Sequence, residues 1–244
     1  MAQLHSLPTL QKPTLSAQVA RHVLDHIAQQ GLRPGDLVPS EVQICKTLQV
    51  SRGSVREAYR TLAALGILEI ESGRRPRLQS MNAAVLAQVF GYALSTAQLN
   101  PTHVIETRRA IEVQGAQLAA RNVTDAQKVT LKGLVAQMRS ALGDRDHMRR
   151  VTADMAIHTT LAEASCNPLN PLLLAALRTP LEQVMIIDHG SRGESELVRL
   201  VDAHDAIVER VCTGDAVGAG AAMAMHFDLS VGSMSKDEHT AVPT

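Results

Sequence analysis

Apolar residues recur at helical spacing three times in the first third of the chain, and an alternating segment follows them. This pattern predicts helices at 16–29, 41–48 and 52–65, with Ser40 and Ser51 as the N-caps of the second and third. Gly66 ends the third helix, and two strands at 67–71 and 76–79 flank a turn. Helix, helix, turn, helix and β-hairpin in this order predict a winged helix-turn-helix.

The remaining residues carry helical signals alone. The predicted helices cover 82–97, 101–121, 124–142, 145–165, 169–188, 194–213 and 215–234, and Pro180 is expected to kink or split the fifth. We therefore predict a mainly α protein, in which the winged helix-turn-helix domain precedes an all-α antiparallel helical bundle that acts as the effector domain.

This pattern divides the chain into four parts. Residues 1–13 are predicted to be a flexible N-terminus and 14–80 the winged helix-turn-helix domain. Residues 81–234 are predicted to form the helical effector-binding and dimerisation domain, and 235–244 a disordered tail.

The third helix carries a stripe of arginines. Arg52, Arg56 and Arg60 recur every fourth residue and so lie on one side of the helix. Taken alone, such a stripe is more often a solvated helix face, but a short helix before it and a basic hairpin after it favour a DNA recognition helix. The residues expected to contact DNA are Ser40, Ser51, Arg52, Ser54, Arg56, Arg60, Gly73, Arg74 and Arg75, with Arg52 and Arg56 as candidates for base contact.

Charge and composition agree with duplex DNA as the partner. The chain has 24 Lys and Arg and 24 Asp and Glu, but residues 1–79 hold ten basic against six acidic side chains, so the excess positive charge lies in the first domain. The four Phe and Tyr residues are too few for a platform that stacks single-stranded bases.

No stretch of the chain is predicted to act as an export signal or to cross a membrane. The longest apolar runs are a handful of residues, and the first twelve lack the apolar core of a signal peptide. Three widely spaced cysteines are typical of free thiols in a reducing compartment, and we expect a cytoplasmic protein that does not contact membranes.

One dense motif resembles a known family. The DNA-binding domain of GntR-type bacterial transcription regulators is similar to the segments Pro39-Ser40-Glu41, Val50-Ser51-Arg52-Gly53-Ser54-Val55-Arg56-Glu57-Ala58, Leu62 and Gly66-Ile67-Leu68. Many relatives have an arginine that touches DNA directly after the Pro-Ser-Glu segment. Here that residue is Val42, which implies a different operator.

Four residues of the bundle have the spacing of a metal site. Asp154 and His158 lie one turn apart on one predicted helix, and His204 and His226 flank the turn at Gly214 at similar distances. In an antiparallel pair of helices the two histidines are level and can converge. One carboxylate and three imidazoles form a ligand set for Zn, Ni, Mn, Co or Fe(II). Ten histidines in the chain also make chance pairs common.

The same four residues, with Asn167-Pro168 after the first pair, resemble the effector domain of the FadR subfamily. This resemblance implies one divalent metal ion per chain, with Zn preferred and Ni or Mn as alternatives. The segment that contains Arg108 and Arg109 resembles the first ligand-pocket helix of that subfamily. In that helix an arginine commonly holds the carboxylate of a small organic acid beside the metal. Arg108 is the first choice and Arg109 the second, and Glu112 is expected either to orient the arginine or to face water.

These features predict a homodimeric transcription regulator, a repressor that a small sugar acid or hydroxy acid releases from a pseudo-palindromic operator in double-stranded DNA. Two alternatives remain at this stage. The protein could be a metal-dependent enzyme that acts on a small carboxylic acid. However, no further side chain has a spacing that indicates a catalytic base. The metal could also be the signal itself, or purely structural.

Overall fold

The computed structural model describes residues 13–178 and 192–234. The predictions for residues 1–12 and 235–244, the role of Pro180 and the later part of the 169–188 helix lie outside these residues. The chain divides into two compact units between Val85 and Leu86, and each is described by itself.

The N-terminal unit contains three helices and a small hairpin. They are α1 (Leu15–Gln29), α2 (Glu41–Leu48), α3 (Arg52–Ala64), β1 (Leu68–Glu69) and β2 (Arg77–Leu78). Each helix begins at a hydroxyl side chain that accepts a hydrogen bond from the first turn, and the helix bounds agree closely with the pattern of apolar positions.

The core of this unit lies where α1, α3 and the hairpin meet. Its buried members are Val19, Val23, Val38, Ile44, Val55, Ala58, Tyr59, Leu62 and Leu68. The strands pair antiparallel, with Leu68 opposite Leu78 and Glu69 opposite Arg77, and are shorter than the predicted ones. Leu37 forms an additional bridge with Arg77, which the sequence pattern had not indicated.

The C-terminal unit is all-helical in the part that the structure describes. Its helices are α4 (Ala84–Ser95), α5 (Pro101–Asn122), α6 (Asp125–Gly143), α7 (His147–Ala164), α8 (Leu169–Arg178), α9 (Glu194–Thr213) and α10 (Ala216–Met234). Asn100, Thr124 and Asp146 cap the starts of α5, α6 and α7. Gly214 ends α9 in the left-handed conformation, with φ of 79°, which reverses the chain into α10.

Helix α5 lies against α7, α9 and α10, while α6 packs against α7 and α9. Small residues such as Ala116 and Ala119 let α5 approach its neighbours, and larger side chains such as Met138, Ile157 and Phe227 fill the core. The fold class predicted from the sequence, a winged helix-turn-helix followed by an all-α bundle, is confirmed. Within residues 13–178 and 192–234, no helix combines the length and the apolar character needed to span a bilayer.

Candidate functional site

The arginine stripe of α3 faces solvent. Arg52, Arg56 and Arg60 are exposed, while the intervening Val55, with Ala58 and Tyr59, is buried against the rest of the unit. Among the described residues, none of the three arginines forms an ion pair. Helix α3 therefore presents three guanidinium groups on the surface that a recognition helix turns to DNA.

The serines of the predicted interface cap helices. Ser51 Oγ accepts a hydrogen bond from Ser54 N at 3.2 Å, and the two hydroxyls lie 3.0 Å apart. Ser40 forms a reciprocal capping box with Gln43 at the start of α2. Both helix starts therefore carry hydroxyl groups beside backbone N–H groups, that of Ser51 exposed and that of Ser40 half-buried, an arrangement suited to phosphate contact.

The hairpin tip carries the remaining predicted DNA contacts. Gly73 has a positive φ of 76°, a conformation that glycine adopts without strain. Arg74 forms an exposed ion pair with Glu71, and Arg75 Nη2 donates to the carbonyl of Val38 at 3.4 Å. Both arginines remain exposed at the tip, although Arg74 already has an acidic neighbour.

One contact that holds the helix-turn-helix together was missed by sequence reasoning. The hydroxyl of Tyr59, on α3, donates to the carbonyl of Pro39 at 2.5 Å, just before α2. Burial, together with the charge of Glu41, raises the pKa of Tyr59, so the phenol stays protonated and keeps donating. Helical spacing places Tyr59 on the apolar side of α3 but cannot show what its hydroxyl contacts.

The C-terminal unit brings three histidines from three helices into one buried cluster. The ligand atoms of His158 on α7, His204 on α9 and His226 on α10 all lie within 4.8 Å of one another. The ring centroids of His204 and His226 are 4.3 Å apart, so these residues are level across the Gly214 turn. Each of the three side chains is at most 5% exposed. Polar side chains are seldom buried together in this way unless they pair with one another or share a ligand.

Hydrogen bonds on the far side of two rings leave their other nitrogens facing the cluster. His158 Nδ1 contacts the carboxylate of Glu112, and His204 Nδ1 lies 2.7 Å from the carbonyl of Leu200. Because both partners are acceptors, we assign the proton to Nδ1 in each ring, so that Nε2 faces inward. The two Nε2 atoms are 3.3 Å apart, a separation at which two lone pairs repel unless a proton or a metal ion lies between the rings.

Asp154 completes the set. Its Oδ1 lies 2.8 Å from His204 Nε2, and the side chain is buried. Burial alone would lower the pKa of His204, but the charge and hydrogen bond of Asp154 outweigh it, and the pKa is raised. Burial and the neighbouring imidazoles hold the pKa of His226 well below its usual range, so this ring is neutral at pH 7 and able to ligate a metal.

Glu112 connects this cluster to Arg108. Arg108 Nε donates to Glu112 Oε1 at 2.9 Å, and Glu112 Oε2 accepts from His158. All three side chains are buried, and the guanidinium carbon of Arg108 lies 5.8 Å from the ring centroid of Phe227. Burial would raise the pKa of Glu112, but the charges of Arg108 and His158 prevail and lower the pKa to about 2. Two roles were expected for Glu112. It is buried and contacts Arg108, so it orients the arginine and does not face water.

The structure separates the two candidate arginines. Arg109 lies on the outside of α5, where it forms an ion pair with Asp228 at 3.0 Å and is 44% exposed at the side chain. Arg108 lies inside and one contact away from the histidine cluster. The contact of Glu112 with His158 and the position of Phe227 beside Arg108 were not identified from the sequence.

The other candidates lie away from the cluster. Asn167 Oδ1 accepts a hydrogen bond from Leu169 N at 3.1 Å and so caps the start of α8. Three of the ten histidines, His5, His189 and His239, lie outside the described residues. The cysteines at 45, 166 and 212 are free thiols.

Comparison with known proteins identifies both units. Residues 15–77 match the bacterial regulatory proteins of the gntR family, and residues 103–229 match the FCD domain. The chain is 29% identical over 204 residues to the HTH-type transcriptional regulator LutR of Bacillus subtilis (strain 168), an alignment that covers 80% of this chain and 90% of LutR.

A second relative and a solved structure point to the same family. A protein of Escherichia coli (strain K12), provisionally named as the regulatory protein of an L-lactate dehydrogenase operon, is 30% identical over 237 residues, covering 93% of this chain and 89% of that protein. The structure of Streptococcus agalactiae GntR superposes with a TM-score of 0.66 at 27% identity, covering 90% of this chain and 99% of that one. These relatives are transcription regulators rather than enzymes, so the enzyme alternative is set aside.

With an exposed arginine stripe on its third helix and an FCD domain after its winged helix-turn-helix, the chain belongs to the GntR family of bacterial transcription regulators.

Proposed function

We propose that the protein is a homodimeric repressor of the FadR subfamily that a small hydroxy acid or sugar acid releases from its operator. The observation that supports this proposal most directly is the buried cluster of His158, His204 and His226 with Asp154, linked through Glu112 to Arg108. A purely structural core would fill the same space with apolar side chains at lower cost in desolvation.

The donor set fits a divalent metal ion. Three imidazoles and one carboxylate are a common ligand set for Zn, and Ni or Mn can use it as well. Asp154, His158, His204 and His226 would hold the ion, and Glu112 and the carbonyl of Leu200 would orient two of the rings from outside. The bound ion supplies a positive centre that can accept an oxygen of the acid.

Arg108 would bind the acid beside that centre. A guanidinium grips a carboxylate through two parallel hydrogen bonds, and Glu112 holds Arg108 in place by its Nε. The relative named for an L-lactate dehydrogenase operon favours a hydroxy acid as the first candidate. The acid would act by binding the DNA-free arrangement of the dimer more tightly than the DNA-bound one.

A thermal-shift screen tests this proposal. Metal-loaded and chelator-stripped protein would each be screened with L-lactate, other hydroxy acids, sugar acids and dicarboxylates. A ligand at 100 times its dissociation constant adds about 2.7 kcal/mol of stability, which gives a measurable shift. We expect at least one acid to stabilise only the metal-loaded protein and to release it from an inverted-repeat operator.

A second candidate function uses the same residues without an acid. If metal alone changes operator affinity and no carboxylate adds to its effect, the metal is the signal. The two functions therefore differ in one measurement, operator affinity at saturating metal with and without acid. A metal that stabilises the protein but leaves operator affinity unchanged would be structural.

A further inference from the structure

Gly53 is the second residue of α3, and nothing in the described part of the chain requires a glycine there. It lies within a regular helix and does not have a positive φ. A Cβ built on it would meet only Ser51 Oγ, at 3.8 Å, which is an ordinary van der Waals contact. Other glycines have a visible reason: Gly214 has a positive φ, and a Cβ at Gly220 would lie 2.5 Å from Gln117 Nε2.

Glycine is unfavourable at such a position. Only proline is a poorer helix former, because the glycine backbone loses the most freedom on folding. An alanine at residue 53 would therefore favour α3 without disturbing its neighbours. Gly133 of α6 is similar, since it is exposed and a Cβ on it would meet no atom within 4 Å. An open glycine alone thus does not indicate a contact, and the surroundings of Gly53 have to decide.

Gly53 lies on the side of α3 that faces away from the core. At about 100° per residue, Gly53 and the buried Leu62 are on opposite sides of the helix. Three exposed residues with long side chains, Arg52, Arg56 and Glu57, lie within about one turn of Gly53. The outer face of α3 is therefore low at Gly53 and raised around it.

A low point at this place affects how deeply a recognition helix can enter DNA. Such a helix presents its N-terminal residues to the base edges of the major groove. The groove is about 12 Å wide and a helix with its side chains about 10–12 Å across, so a side chain in the centre of the contact face holds the helix away from the bases. Arginines beside that centre pair with guanine only within hydrogen-bond distance.

We propose that Gly53 is a positioning residue for base recognition. Its missing side chain sets the depth at which α3 enters the major groove, so that Arg52 and Arg56 reach the base edges. Gly53 would thus determine operator specificity without a side chain of its own. Because DNA binding follows from the family, this role does not depend on the metal or on the acid.

Binding to two DNA duplexes tests the proposal. The unmodified full chain would first select its preferred duplex from a pool with a randomised core, and a scrambled duplex of equal length serves for comparison. We expect Gly53→Ala to weaken binding to the selected duplex by about tenfold, and Gly53→Leu by more. Binding to the scrambled duplex should stay within about twofold, since phosphate contacts supply it.

The melting temperature separates recognition from folding. Gly53→Ala should maintain or raise it, because alanine favours the helix and meets open space. Gly133→Ala is the matched control: it should likewise maintain or raise the melting temperature, and it should leave binding to both duplexes unchanged.

A third measurement shows whether Gly53 acts through the arginines. In a chain that already carries Arg52→Ala and Arg56→Ala, Gly53→Ala should cause no further loss on the selected duplex, because the contacts that need the depth are gone. An equally large loss in that chain would show that Gly53 acts independently and would overturn the positioning role.

Four other results would also overturn the proposal. Equal affinity of Gly53→Ala and the unmodified chain for the selected duplex would remove the need for a glycine. An equal loss on both duplexes would place residue 53 against the phosphate backbone, and a fall in melting temperature would assign the glycine to the fold. If the unmodified chain selects no sequence, α3 does not read bases, whereas the acid-dependent thermal shifts still test the metal and acid site separately.

Discussion

The carboxylate of Glu112, on α5, accepts a hydrogen bond from Nδ1 of His158, on α7, in the buried centre of the bundle. Its second oxygen accepts from Arg108. One carboxylate therefore orients both the arginine that we expect to bind the acid and a histidine that we expect to bind the metal. Because Glu112 contacts both side chains, a change at Glu112 should affect acid binding and metal binding together.

Glu112→Gln should weaken metal binding. The amide lacks the charge that makes the His158 ring a better donor to a metal, and loss of such an outer partner commonly costs about ten- to hundredfold in affinity. Competition for Zn against a chromophoric chelator measures the effect. Glu106→Gln, an exposed change on the same helix, is the control. Equal Zn affinity in the Glu112 variant and the unmodified chain would contradict the orienting role.

The adjacent arginines of α5 should respond in opposite ways. Arg108→Ala should abolish the acid response and leave metal binding intact, because Arg108 is not one of the candidate ligands and Glu112 would still contact His158. Arg109→Ala should keep both, since Arg109 pairs with Asp228 at the surface. Operator release by acid, measured by fluorescence anisotropy, distinguishes them. An acid response that survives in Arg108→Ala would move the acid site elsewhere.

The three arginines of α3 should differ in what they contribute to DNA binding. Arg52→Ala and Arg56→Ala should each cost about 1–3 kcal/mol of operator binding and relax the preference for one base, as expected of bidentate contacts. Arg60→Ala should weaken binding to all sequences and reduce the salt dependence by about one counterion. Binding titrations against single-base operator variants measure both. Arg121→Ala, an exposed change in the C-terminal unit, should have no effect.

Val42→Arg should strengthen DNA binding. Val42 is 50% exposed at the start of α2, at the place where many relatives carry an arginine that touches DNA. One added phosphate contact would increase the slope of the logarithm of affinity against the logarithm of salt concentration by about 0.9. Val129→Arg adds the same charge at an exposed position of α6 and should leave the slope unchanged. A slope equal in both variants would place residue 42 away from DNA.

Tyr59→Phe should destabilise the N-terminal unit by about 1 kcal/mol at pH 7, because the half-buried carbonyl of Pro39 loses its donor. The raised pKa of Tyr59 also predicts a pH dependence: its contribution is complete below pH 10.0, the ordinary value, and is lost as pH rises above it. The difference between variant and unmodified chain should therefore shrink in alkali. Tyr92→Phe, 65% exposed on α4, is the control. A difference that does not change with pH would contradict the buried, protonated phenol.

Much of the fold follows from local patterns. Helix bounds agree with the apolar spacing to within a few residues, because capping side chains such as Ser40, Ser51 and Thr124 act on the backbone next to them. The hairpin is shorter than predicted, since strand pairing depends on a partner and not on propensity alone. Instead, Leu37 bridges to Arg77, a contact between segments that lie far apart in the sequence.

The candidate sites show the same division. Spacing on single helices, and the level positions of His204 and His226 across Gly214, indicated the candidate metal ligands together with the resemblance to the FadR subfamily, because these relations depend on the geometry of one helix or one turn. Sequence alone thus determined the two domains and their order, and it proposed the candidate metal ligands. Only the tertiary structure placed Arg108 beside the histidine cluster with Arg109 at the surface, and Glu112 between Arg108 and His158. Such contacts join helices that are distant in the chain, and the packing of their faces decides them.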